Sequence, residues 1–401
     1  MLAAARTPPH LATLIILTGL SILTLNIFLP SLTQIAETFD AAYGLVNLSV
    51  AGYLAVTAVL QVIMGPLSDR FGRRPVLLAG LSIFVVASIG CIFADDIWTF
   101  LGFRMLQSAV ITGAALSRAV VRDTYSTQES AGILGYIGMV MAIAPMTAPM
   151  VGGALDELFG WRSTFVFMFV LGIAVFLLVW TDLGETNTAP SATFRAQFST
   201  YPELLRSRRF WGYSFCLTFS IGAFYGFLGG APLAAAVLFD LSPTALGIGM
   251  GSITGGFMFG NFLSGKFGKR YSLTTMMIAG RLTACCGLIV GLCLFAAGVS
   301  HVLVLFGPAV MTGLGNGLTL PAANAGAMSV RPTLAGSASG LSGALTVAGG
   351  AIITWGTAAV LVPDYAAFIV QGVMLVCASA GLLAALYVRH IDRTEGLPMT
   401  G

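Results

Sequence analysis

Charge is what this sequence lacks most. Only 9% of its 401 residues are Asp, Glu, Lys or Arg, against 57% apolar, and the mean hydropathy is +0.92. A soluble globule needs roughly a quarter of its residues charged to keep its surface in water. The chain must therefore use lipid as its main solvent, which excludes a soluble enzyme, a disordered chain and a secreted disulfide scaffold. Histidine is almost absent: His10, His301 and His390 stand at the ends of apolar runs. The six cysteines lie inside such runs, and only Cys285 and Cys286 are close together. No His/Cys group has metal-ligand spacing, no Walker-type phosphate loop is present and no catalytic constellation converges. No metal, cofactor or catalytic residue is expected, and ATP is not the energy source. A net charge of +3 is too small and too dispersed to attract nucleic acid. Acids are missing in one more place: no Asp or Glu falls in the middle of any apolar run.

What is there is a series of apolar stretches of about 20 residues, the length that crosses a bilayer as a helix. Twelve are found, near 11–32, 47–67, 75–94, 98–120, 133–155, 161–181, 210–237, 244–264, 272–298, 302–325, 337–361 and 365–388. The first is too long for a typical signal core and is read as a retained helix. Lys and Arg give the orientation, because basic loops stay in the cytoplasm. Of the 19 basic residues, 16 fall on the side of the two termini, only Arg162 on the other side, and Arg104 and Arg281 inside spans. Both termini are expected to be cytoplasmic.

The longest polar stretch, about 182–209, divides the chain into six spans plus six, giving halves 1–181 and 210–401 around a cytoplasmic linker. A repeat supports the division. Leu67-Ser68-Asp69-Arg70-Phe71-Gly72-Arg73-Arg74 follows the second span, and Leu263-Ser264-Gly265-Lys266-Phe267-Gly268-Lys269-Arg270 follows the eighth. Two six-helix halves related by a parallel repeat are the plan of a large class of secondary transporters. The expected fold is an all-α integral membrane bundle of 12 helices.

These motifs carry a resemblance. Gly65-Pro66-Leu67-Ser68-Asp69-Arg70-Phe71-Gly72-Arg73-Arg74 resembles the loop signature of the major facilitator superfamily. Leu101 through Gln107, centred on Arg104, is similar to the fourth-helix signature of its proton-driven members. Pro145, Pro149, Gly152 and Gly153 resemble the antiporter signature of exporters. Arg118-Ala119-Val120-Val121-Arg122-Asp123 and Leu29-Pro30 narrow the resemblance to the bicyclomycin/chloramphenicol-resistance (Bcr/CflA) efflux family, over the full length. The resemblance implies a multi-pass protein of a bacterial inner membrane that moves small molecules, with protons as coupling ion and lipid as its other partner.

Each element also has its own physics. Asp69, beside Arg70, Arg73 and Arg74 and between the turn-permitting Gly65 and Gly72, is placed to accept charge-assisted hydrogen bonds and latch a gate. The alternative is that the arginines only mark topology and meet anionic lipid. Pro145 and Pro149 each remove a backbone donor, and Gly152 and Gly153 admit a close partner helix, which suggests a hinge. Arg104 should face a cavity or a partner, since a guanidinium in hydrocarbon costs several kcal/mol; its alternative is snorkelling to the headgroups. On a uniform α-helix, Arg118 and Arg122 fall within about 40° of its face, with Gln107 beside it. Tyr53 and Tyr136 are candidates to line a cavity.

The chain departs from the family at Asn26, where members usually carry an acid just before the element written here as Phe28-Leu29-Pro30. A proton antiporter needs a titrating group, so coupling falls to Asp123 or an end-of-helix acid such as Glu37, or the cavity is net positive and its substrate neutral or anionic. The leading expectation is an exporter of small amphipathic compounds, neutral or anionic, acting as a monomer. The second is an importer or facilitator of an anionic metabolite, and a third is a non-transporting membrane receptor.

Overall fold

A computed structural model describes residues 9–125, 127–187, 201–268, 270–331 and 334–395. Among these residues the chain forms twelve long helices and no strand. They are α1 (Leu11–Asn26, carried through the turn Leu29–Ser31 into Leu32–Thr38), α2 (Leu48–Phe71), α3 (Arg73–Ile92), α4 (Ile97–Gln107, the 3-10 turn Ser108–Val110 and Ile111–Thr124) and α5 (Thr127–Phe159). Then follow α6 (Arg162–Asp182), α7 (Arg208–Phe239), α8 (Pro243–Phe267), α9 (Leu273–Ala296), α10 (Val302–Ser329), α11 (Ala335–Val360) and α12 (Ala366–Thr394). Among the described residues, ten of them are long and apolar enough by composition alone to cross a membrane. Of the other two, α8 has 25 residues, enough to span, but seven are glycines that lower its hydropathy. α5 has 33 residues and two internal prolines.

The surface has the polarity of a protein dissolved in lipid. Val86 on α3 is 62% exposed, and Val376 and Leu383 on α12 are 70% and 68% exposed. The buried interior, in contrast, holds Thr18, Thr24 and Ser88, whose hydroxyls each donate to the carbonyl four residues back in their own helix. Without water at that depth, a polar group has to be satisfied within the protein.

Helix ends are written in local sequence. Ser207, Ser242 and Ser272 cap α7, α8 and α9 by accepting from Phe210, Ala245 and Thr275 amides, and Asp96 caps α4 through Trp98 and Thr99. Asp40 and Asp240, just past the ends of α1 and α7, both adopt φ of 46°. The left-handed region is open to Asp at a helix C-terminus, and the same stop recurs at the same place in each half. The start of α1, the end of α12 and the α2–α3 turn share one face, the terminal face, opposite the far face.

Packing respects the repeat. α3 lies against α4 and α6 as α9 lies against α10 and α12, and α1 lies against α4 and α5 as α7 lies against α10 and α11. The halves meet along two seams, α5 with α8 and α2 with α11.

Candidate functional site

Eight helices, α1, α2, α4 and α5 from one half and α7, α8, α10 and α11 from the other, surround a central cavity of about 320 Å³. That is the low end of the range for small-molecule pockets. Its wall carries Asn26, Tyr53, Gln61, Arg118 and Pro145 on one side and Phe224, Tyr225, Phe257 and Asn316 on the other. Among the described residues no carboxylate lines it, and Arg118 is its one charged side chain. Asn26 donates to the Ile22 carbonyl at 2.8 Å, and its own Oδ1 is buried without a partner.

Arg104 lies one layer behind that wall. It is fully buried, so it does not snorkel. One guanidinium nitrogen donates to Gln107 Oε1 at 2.7 Å, another to the Thr24 carbonyl of α1 at 2.8 Å, and Gln107 donates on to Ser88. The cation is held between two aromatic faces, Phe28 at 4.1 Å and Tyr53 at 4.3 Å. Aromatic faces and carbonyl oxygens take the place of a counter-ion. The 3-10 turn Ser108–Val110 lies between Arg104 and Arg118 in α4, and Arg118 lines the cavity while Arg104 does not. The side chains of Arg122 and Tyr136 lie outside the described residues.

Arg281, inside α9, is held by side-chain oxygens. It is fully buried and donates to Thr319 Oγ1 at 3.0 Å and Asn316 Oδ1 at 2.6 Å, both on α10. Asn316 thus joins this cation to the cavity wall. A lone Asn in α10 gave no signal of this pairing, because the partners are 35 and 38 residues apart.

At the terminal face, the loop after α2 is closed onto its own half. Asp69 pairs with Arg73 at 2.5 Å, and Arg73 reaches Asp123 at the end of α4 at 3.0 Å. Asp123 is therefore paired with Arg73. Glu185, beyond α6, accepts the Arg73 amide at 2.8 Å and the Arg74 amide at 3.1 Å, occupying the exposed donors of the α3 N-terminus. Gly72 has φ of 96°, which favours glycine, and a Cβ there would meet the Glu185 carboxylate. Arg74 lies against Trp180. Arg70 and Gly65 border this cluster in sequence. In the second copy, Gly265 stands in open space where Asp69 stands in the first.

The Pro/Gly segment of α5 forms the seam with the other half. A Cβ on Gly152 would strike the Ile27 carbonyl of α1, and one on Gly153 the Pro243 carbonyl of α8. Gly247 and Gly251 of α8 return the contact on the carbonyls of Pro149 and Met146. The glycines that lower the hydropathy of α8 are therefore the ones that let backbones touch. Hydrogen bonds tie the halves at the far face: Tyr43 and Asn47 donate to the Gly229 carbonyl at 3.0 and 2.6 Å, and the Thr244 amide donates to Glu157 at 3.3 Å. None of Tyr43, Asn47 or Glu157 was singled out from sequence, since each pairs with a partner at least 87 residues away.

The family model described as Major Facilitator Superfamily matches residues 14–354. The chain is 28% identical over 344 residues to multidrug resistance protein D of Escherichia coli (strain K12), covering 85% of this chain and 86% of that protein. It is 32% identical over 215 residues to a chloramphenicol resistance protein of Pseudomonas aeruginosa, covering 53% of this chain and 51% of that one. Its fold is similar to the crystal structure of a bacterial homologue of the human lysosomal transporter Spinster, with a TM-score of 0.77, 17% identity and 96% of each chain covered.

Proposed function

The chain belongs to the Major Facilitator Superfamily, and on that footing we propose that it is a secondary-active multidrug exporter of small amphipathic compounds, neutral or anionic. It is a multi-pass transporter of the membrane rather than an enzyme. The terminal face is cytoplasmic, in a bacterial inner membrane, and one chain suffices. The halves 1–181 and 210–401, joined through 182–209, rock about the cavity, loading at one face and releasing at the other.

One observation carries the reading: a cavity shared by both halves, walled by apolar and aromatic side chains, in which, among the described residues, Arg118 is the charged group and no acid is present. An organic cation entering it would lose its hydration and meet a like charge, whereas a neutral or anionic aromatic compound would be stacked and balanced. The relatedness to proteins named for multidrug and chloramphenicol resistance supports export of drugs. Asn26, Tyr53, Arg118, Asn316 and Gln61 contact the substrate. Arg104 and Gln107 hold Tyr53 and α1 in place behind them. The Asp69, Arg70, Arg73, Arg74 and Asp123 cluster latches the cytoplasmic gate, and the Pro145–Gly153 segment is the hinge. Protons drive the cycle.

The test is transport in liposomes holding an imposed pH gradient and a pH reporter, with neutral, anionic and cationic compounds added in turn. Collapse of the gradient by a neutral amphenicol or an anionic compound, lost in Arg118→Ala, is expected. Transport confined to quaternary ammonium compounds would sink the substrate class, and substrate movement without proton movement would sink the coupling.

A further inference from the structure

The far end of α5 carries a buried carboxylate that the transport reading leaves unused. Asp156 follows the apolar run 133–155 and is 3% exposed, and neither of its side-chain oxygens has a hydrogen-bond partner. Its neighbour across the contact with α1 is the Ser31 hydroxyl, in the turn Leu29–Ser31. Ser31 is fully buried as well and equally unpartnered. Among the described residues the Ser31 hydroxyl is the one group near enough to donate to the carboxylate, and burial outweighs what it gives. Burial disfavours an ionised carboxylate in that position, while a neutral acid, with one O–H to donate to Ser31 Oγ, costs little.

The charged groups around it do not offset an anion. Glu157, next on the same helix, is itself acidic and engages α8 through the Thr244 amide. α1 offers the uncharged Ser31, and its one nearby acid, Glu37, is exposed. Ser242 and Thr244 at the start of α8 are uncharged. Arg162, at the start of α6, donates to the Ile92 and Ala94 carbonyls and lies 4.4 Å from the centre of the Trp161 ring.

What buries Asp156 is the closed seam. Gly152 and Asp156 share one face of α5, four residues apart, and turn toward α1 at Ile27 and Ser31. Gly153 and Glu157 share the adjacent face and turn toward Pro243 and Thr244 of α8. The Ser31 turn is itself covered by α7 and α8 of the other half. Parting the halves at the far face removes that cover and admits water.

We propose that Asp156 is a proton-binding site of the far-face gate. It takes one proton from far-face water as the seam shuts, and as the seam opens the acid returns that proton to the same water. A proton that enters and leaves by one face does not cross the membrane, so the site sets the balance between the shut and open gate. The sign follows from linkage. The shut state binds the extra proton, so it is favoured as pH falls and the open state as pH rises. The open-to-shut ratio changes by up to tenfold per pH unit within the window. This inference rests on the rocking of the two halves proposed above, but it holds for export and import alike.

The test reads the gate and not the cargo. Nitroxide labels at Asp95→Cys and Ser300→Cys, exposed on far-face loops of opposite halves, report the far-face distance by pulsed electron spin resonance in lipid, with the exposed Cys286 and Cys293 replaced by serine. Between about pH 5 and about pH 9 the distribution is expected to move from short to long. Asp156→Asn should hold it short throughout, and Asp156→Glu, which keeps a titrating acid, should restore the response at a displaced midpoint. A distribution that ignores pH, or a response that survives unchanged in Asp156→Asn, overturns the proposal. Failure of a compound to be transported would leave these distances unaffected, so the two readings fail separately.

Discussion

The Tyr53 ring lies 4.3 Å from the Arg104 guanidinium and lines the cavity that Arg104 does not reach. The tyrosine is thus both a wall of the site and the lid over a buried cation. Tyr53→Ala is expected to bring Arg104 to the cavity surface, raising affinity for anionic compounds and lowering it for neutral aromatic ones, while Tyr53→Phe behaves as wild type. Arg104→Ala removes two charge-assisted hydrogen bonds and two aromatic contacts, costing about 2–4 kcal/mol. Binding titrations across the compound panel, with thermal unfolding in detergent, check both. An Arg104→Ala protein of unchanged stability would mean that the guanidinium is not the brace described here.

Asn26 puts an amide where an acid would change the sign of the wall. Its Oδ1 is already buried without a partner beside the cavity, so Asn26→Asp alters charge with almost no change in volume. An added charge-assisted contact is worth about 1.5–3 kcal/mol. The cation-to-neutral preference should therefore rise roughly tenfold or more. Growth of cells challenged with a quaternary ammonium compound and with an amphenicol measures the ratio. An unchanged ratio would place the substrate away from α1.

Gly153 and Gly247 hold α5 and α8 at backbone contact across the seam. Gly153→Ala forces the helices apart, and overpacking of that kind costs about 1–3 kcal/mol. Because the contact belongs to the shut far face, the substitution should lengthen the far-face distance and lower transport while leaving α1–α4 packing intact. Gly255→Ala on the same α8 helix, where a Cβ meets open space, is the control expected to do neither.

The architecture was legible because it is written in long, local patterns. Apolar runs marked the helices, and the Asp69 and Gly265 loops marked the repeat. Even α8, too rich in glycine to score as a span by composition, is recognisable by its place in that repeat. A second echo, Phe39-Asp40 and Phe239-Asp240, is also in the sequence, but only the shared left-handed conformation gives it meaning. The site was less legible. Arg104 was expected to face a cavity or a partner, but its partners Thr24, Phe28 and Tyr53 lie on α1 and α2, which the periodicity of α4 cannot name. Arg281–Asn316, Asn47–Gly229 and Glu157–Thr244 pair side chains with groups on distant helices, and one sequence carries no record of which distant residues meet. Asp156 read as a loop acid because it follows the apolar run; its burial depends on the Leu29–Ser31 turn of α1 packing against α5.

Glu157 sits one residue from Asp156 and should respond to pH in the opposite sense. Hydrogen bonds from the Thr244 side chain, from Ser242 and from the Thr244 amide hold its carboxyl below the ordinary glutamate value of 4.5 in the shut state. They are aimed from the N-terminus of α8, which favours the anion further. With the gate open those partners are gone and the group titrates as an ordinary glutamate. Its contribution to closure is therefore complete above the ordinary value and lost as pH falls through the lowered one. Asp156 works the other way, favouring closure as pH falls. The gate should then be tightest in a band of mildly acidic pH, loosening above it through Asp156 and below it through Glu157. Glu157→Gln is expected to abolish the loosening on the acid side and leave the alkaline limb in place, while Asp156→Asn does the reverse. The far-face label distance followed over the whole range separates the two limbs. A single variant that flattens both would mean that the neighbouring carboxyls titrate as one site.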